Sequence, residues 1–141
     1  RWFSKEYNKL KYLNPVAEKQ EIIFNEMRIN LDATIYIVEG ATDHIVTPNS
    51  VPLLGKFIPE PLLELLHDHA TGYIVIVLDD DAWEDAKNLY RKLNFGNLRG
   101  RIKICKCPTD YDPSKIFEKL GYKGIVKLLM GARFLTEQEL D

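Results

Sequence analysis

Two spacings of apolar positions recur along the chain. Thr34-Ile35-Tyr36-Ile37-Val38 and Tyr73-Ile74-Val75-Ile76-Val77-Leu78 are unbroken apolar runs rich in β-branched residues, the composition of strands buried on both faces. Two weaker segments join them. Ser50 to Lys56 holds a second short strand closed by Gly55, and Arg101 to Cys107 gives a fourth after the Gly96 to Gly100 turn. Between these lie helical spacings. Leu62, Leu63, Leu65 and Leu66 form a stripe within Pro59 to His69, and Ala82, Ala86, Leu89, Tyr90 and Leu93 form one face of Ala82 to Leu93. Ala41 to Val46 reads as a helical turn broken by Pro48-Asn49. Asp112 is placed to cap a helix with Pro113 at its first position, ending near Gly121, and Gly124 to Met130 adds a last helix. The alternation predicts an α/β fold, a parallel sheet of about four strands with helices on both faces. Arg1 to Pro15 has no clean period and is expected to be extended or looped; Glu18 to Asn30 mixes a turn and a helix.

Ligands of such sheets gather beyond the carboxyl ends of the strands. Both long strands end there in acid. The third runs into Asp79-Asp80-Asp81, and the first into Glu39-Gly40. Adjacent carboxylates repel by about 1 kcal/mol at ~4 Å in water and by several times that in a partly desolvated cleft. A cation offsets the cost. On a strand continuing past Leu78, Asp79 and Asp81 point the same way and can hold one hard ion, while Asp80 faces away or reaches a second. Magnesium suits a sparse site of carboxylates, waters and substrate phosphates. Glu39 is then a further ligand or a general acid or base, and Gly40 lets a backbone or phosphate approach. The bland alternatives are a helix start that favours acids and a plain turn at Glu39-Gly40.

Composition narrows the classes. The chain has 141 residues, 45% hydrophobic and 28% charged, enough for one domain with a substantial core, and a net charge of -2 that hides a basic beginning, Arg1 to Lys19, before an acidic middle. No apolar run approaches the ~20 residues that span a bilayer. A soluble, cytoplasmic protein is expected. The chain opens on Arg rather than Met, and is expected to be a piece of a longer protein. Cys105 and Cys107 are too few and too close for a structural zinc site, so packed, reduced thiols are expected. Arg99, Arg101, Lys103 and Lys106 suit either a solvated strand edge or a nucleic-acid backbone.

Val38-Glu39-Gly40-Ala41-Thr42-Asp43 and Leu78-Asp79-Asp80-Asp81-Ala82 resemble the two signatures of the Toprim domain, shared by bacterial-type primases, type IA and type II topoisomerases and some nucleases. Lys11-Tyr12-Leu13-Asn14-Pro15, followed by Phe24-Asn25, is similar to the segment that bacterial-type primases place just before that domain. Pro52-Leu53-Leu54-Gly55-Lys56 and Asp110-Tyr111-Asp112-Pro113 resemble primases too, those of phages above all. The resemblance implies a division into residues 1–32, the end of a basic N-terminal lobe, and 33–141, a Toprim domain. It implies a DNA primase core that makes RNA primers on single-stranded DNA from nucleoside triphosphates, with Mg2+ or Mn2+, a replicative helicase as partner, and the host cytoplasm as its place if phage-encoded. Glu39, Asp79 and Asp81 carry over as catalytic metal-site acids, with Asp43, Asp80, Asp110 and Asp112 as further candidates. Lys9, Lys11, Tyr12 and Asn14 fall to nucleotide or template. Ala82-Trp83-Glu84 departs from the residue-Ala-Gly of cellular primases. A Toprim nuclease or topoisomerase, a receiver-like module and a metal-free nucleic-acid-binding scaffold stand as alternatives.

Overall fold

The computed structural model describes residues 29–53 and 57–140, and of Asp80 the backbone alone. Lys9, Lys11, Tyr12 and Asn14 lie outside the described residues. Four strands, β1 (Ile35–Val38), β2 (Ser50–Pro52), β3 (Ile74–Leu78) and β4 (Ile102–Lys106), alternate with helices α1 (Ala41–Val46), α2 (Glu60–His69), α3 (Trp83–Leu93), α4 (Pro113–Met130) and α5 (Glu137–Leu140). The sheet order is β2-β1-β3-β4 and every pair is parallel. The expected α/β sheet is therefore present. Register places Val38 beside Val77 and beside Pro52, so the carboxyl ends of β1, β2 and β3 lie side by side.

Period-two alternation divides the strands between two cores. Ile35, Ile37, Ile74, Ile76, Leu78, Ile102 and Ile104 pack under α2 and α3, against Leu62, Leu66, Ala86, Leu89, Tyr90 and Leu93. Val38, Val75, Val77, Cys105 and Cys107 face the other way, against Ile116, Ile125 and Leu129 of α4. Removing each such aliphatic side chain from water contributes about 1.5–3 kcal/mol. Both cysteines are buried free thiols, and burial pushes the Cys105 thiol up to about 11 and that of Cys107 higher still. They are inert core residues.

Helix ends follow local chemistry. Asp112 caps α4, its carboxylate accepting from the Lys115 N–H at 2.8 Å, and Pro113 takes the first turn. Gly121 breaks α4 midway, with φ 68° and ψ -162°, a conformation open essentially to glycine alone. The expected pair of helices is thus present, the two meeting at Gly121 within the span labelled α4. Beyond Met130 the chain turns back along the sheet: Ile104 and Arg133 exchange backbone hydrogen bonds of 2.7 and 2.9 Å as an antiparallel bridge. Leu135 then enters the core under α2 and α3, and Thr136 and Glu139 cap each other around the start of α5.

β2 covers Ser50–Pro52, with the Leu53 N–H still donating to the Val38 carbonyl at 2.9 Å, and the expected closure at Gly55 lies outside the described residues. One expectation needs correction. β3 stops at Leu78, and Asp79 caps a short 3-10 turn, Asp80–Ala82, in which the Ala82 N–H donates to the Asp79 carbonyl at 3.1 Å. The strand does not continue under the acids. Any convergence of Asp79 and Asp81 is made by a turn, not by pleat.

Candidate functional site

Glu39 is the first residue after β1 and Asp79 the first after β3, on neighbouring strands. They line one cleft of about 350 Å³ together with Leu53, Leu78, Asp81, Ala82, Asp85 and Leu89. A second lobe, about 220 Å³, is lined by Asp79, Asp81, Asp110, Tyr111, Asp112 and Lys115. Asp79 and Asp81 belong to both. Glu39, Asp79, Asp81, Asp85, Asp110 and Asp112 thus surround one opening in which Lys115 is the cation.

Electrostatics follow from this crowding. Burial raises the Glu39 carboxyl, and the charge of Asp79, a hydrogen bond with it, and the charges of Asp81 and Asp43 raise it further, to about 7. Asp79 is also raised, by burial first and by Asp112, Asp43 and Asp81, while its bond with Glu39 works the other way. Burial and like charge thus push both carboxyls above the ordinary range.

The other sequence candidates divide. Asp43 is buried, and its Oδ1 accepts from the Ser114 N–H at 3.1 Å, tying α1 to the first turn of α4; burial raises its carboxyl against that bond. Asp112 is in the cleft but spends one oxygen on capping α4, also accepting from the Ser114 hydroxyl at 2.8 Å. Asp110, at φ 66°, is exposed beside it. His44 Nδ1 lies 2.8 Å from the Ser50 hydroxyl, a bond within the fold. Arg101 donates to the Ala70, Gly72 and Asn97 carbonyls, pinning the turn before β3. Lys103 sits over the Tyr73 ring and Lys106 over Trp83. Asp85 was missed by the sequence reading; its signal is the four-residue spacing from Asp81, which puts both near one face at the start of α3.

The donor set suits a hard cation: all oxygen, in excess negative charge, with two carboxyls forced towards neutrality. Among the described residues no three acidic, histidine or cysteine side chains close on one point. An ion held here would have to complete its shell with waters or phosphate oxygens. Gly40 is extended, and a Cβ there would meet nothing nearer than Asp43 Oδ2 at 3.8 Å, so the fold itself does not demand glycine beside Glu39.

No protein-family model matches the chain, and no curated protein sequence matches it. Solved structures do. The RNA polymerase domain of Mycobacterium tuberculosis primase DnaG superposes with a TM-score of 0.56 at 20% identity, over 70% of this chain and 36% of that one. The same domain in complex with a double-stranded DNA oligomer with a 6-nucleotide overhang gives 0.57 at 22% identity, over 71% and 35%. Aquifex aeolicus primase, with zinc-binding and RNA polymerase domains, gives 0.56 at 22% identity, over 74% and 27%. The chain spans only 27% to 36% of the length of these primase chains. At such identities the likeness is one of fold, a four-stranded parallel sheet with its helices built as in the catalytic domains of bacterial DNA primases.

Proposed function

We propose that the chain is the Toprim part of a DNA primase core, of the phage-like branch, and that its acidic cleft serves metal-dependent nucleotidyl transfer from nucleoside triphosphates on single-stranded DNA. One observation carries the reading. Glu39, Asp79 and Asp81 line one cleft beyond the carboxyl ends of two adjacent parallel strands, where the fold gains nothing from crowding acids. Asp79 and Asp81 would hold Mg2+ or Mn2+, with Glu39 as a further ligand once it gives up its proton, or as the group that takes a proton from the attacking hydroxyl. The cation supplies charge stabilisation at the transferring phosphoryl group. Asp43, buried and bonded to α4, positions the β1 end rather than reaching substrate. Gly40 leaves room for a phosphate beside Glu39. The resemblance to solved primase domains and the sequence signatures support the same assignment, with Lys9, Lys11, Tyr12 and Asn14 as its nucleotide- or template-binding segment.

The test uses the full-length protein, single-stranded template, labelled nucleotides and Mg2+ or Mn2+. Asp79→Asn and Asp81→Asn are expected to lower primer synthesis roughly a hundredfold or more, comparable with removing one preorganised electrostatic contact to a transition state. Calorimetric titration with Mn2+ should weaken in parallel. Full activity in both variants would sink the assignment, and DNA cleavage needing metal but no nucleotide would replace it with a Toprim nuclease.

A further inference from the structure

A second groove, of about 230 Å³, lies against the acidic cleft and shares Asp85 and Leu89 with it. Phe57, Asn88, Arg91 and Lys92 complete its working surface. A single exposed phenylalanine is ordinary; this one is 75% exposed, at the mouth of a charged cleft, with Lys92 Nζ 5.2 Å from its ring centroid. The hydrogen bonds of Arg91 go to the Asn88 side-chain oxygen and the Leu140 carbonyl, both neutral, and it has no ion pair among the described residues. A flat apolar face, an amide and two cations stand within one groove that opens into the cleft. We propose that this groove seats a base of single-stranded DNA, stacked on the Phe57 ring with Arg91 and Lys92 against the flanking phosphates, so that the strand leads along α3 into the acidic cleft.

Stacking needs only a π-face, so it holds any base and leaves sequence unread. Two consecutive single charges match the one charge per nucleotide of a strand. A free triphosphate concentrates several charges, which this rim does not gather. Metal is not needed here, because the contacts proposed for the strand are an aromatic face and two cations, not carboxylates.

This inference rests on the reading of the cleft as a nucleotidyl-transfer site, and it is tested apart from it, by anisotropy of labelled oligo-dT in EDTA with the full-length protein. Phe57→Ala is expected to weaken binding roughly five- to a hundredfold, the range of one lost base stack. Phe57→Leu should lose as much, since it keeps apolar area without a flat face, whereas Phe57→Trp should bind as the parent does and be quenched by the oligonucleotide. Arg91→Ala and Lys92→Ala should each flatten the slope of log K against log salt by about 0.7. Parent affinity in Phe57→Ala or in Phe57→Leu, or no binding by the parent itself, overturns the proposal. Quenching of Phe57→Trp by ATP as strong as by oligo-dT overturns the strand as occupant. Mn2+ titration of Asp79→Asn, run beside these, reports on the cleft alone and stands whichever way the groove falls.

Discussion

Glu39 is driven far above the ordinary carboxyl range, and its consequence is a pH dependence with a fixed sign. Its folded-state pKa, about 7, lies above the ordinary 4.5, so its contribution to stability is complete below 4.5 and is lost as pH rises through 7. Without divalent cation, the melting temperature is expected to fall between pH 5 and pH 8. Glu39→Gln should remove that part of the fall, leaving the variant more stable than the parent at pH 8 and close to it at pH 4.5. Parallel melting profiles for parent and variant would assign the fall to other groups. Adding Mn2+ at pH 8 should raise the parent more than Asp79→Asn. That acids would stand here was legible in the sequence, because two apolar runs each stop at a carboxylate. That Asp79 would raise the Glu39 carboxyl was not, since it depends on β1 and β3 being neighbours. Asp43 shows the same limit: nothing in its motif records that it is buried or that it accepts from the Ser114 N–H, a residue far along the chain.

Among the elements, α4 depends on two residues that the sequence marked for different reasons. Asp112 reads as a cap because an acid precedes proline, and the structure has its carboxylate on the Lys115 N–H. Asp112→Ala is expected to cost about 1 kcal/mol in urea unfolding. Gly121 reads as a helix end, and it is the kink at which the first of two helices gives way to the second. Gly121→Ala, forced into φ 68° and ψ -162°, is expected to cost about 1–3 kcal/mol, and a neutral result would mean that α4 straightens there without penalty. The strands were legible from their runs. Their order was not, because composition does not record which side of β1 each crossover takes. The turn at Asp80–Ala82 escaped for a related reason: alternation predicts where side chains point only while the strand lasts, and the sequence does not say that β3 ends at Leu78. The return of the chain along β4 was missed outright, since a one-residue bridge at Arg133 leaves no periodic signal.

For the whole molecule, residues 133–140 tie the β4 edge to the core under α2 and α3. Arg133 bridges β4, Leu135 enters the core under α2 and α3, and Arg91 of α3 holds the Leu140 carbonyl. Arg133 also pairs with Glu139 through two contacts of 2.7 Å, and those hydrogen bonds hold the Glu139 carboxyl down at about 2. A depressed folded-state pKa contributes stability above the ordinary 4.5 that is lost as pH falls through 2. Acid titration followed by amide exchange is therefore expected to release this segment before β1 and β3, and Glu139→Gln to release it already at neutral pH. The same segment also decides how the protein behaves in company. A parallel sheet presents unpaired amides and carbonyls along its outer strands, and a strand from another molecule can add there. β2 offers only three residues, the last a proline, and β4 has the groups of Ile104 already taken by Arg133. A chain shortened to end at Met130 would bare both β4 and the apolar seat of Leu135. Light scattering at matched concentration should find it associating where the parent stays dispersed, so that the tail is what keeps the sheet finite.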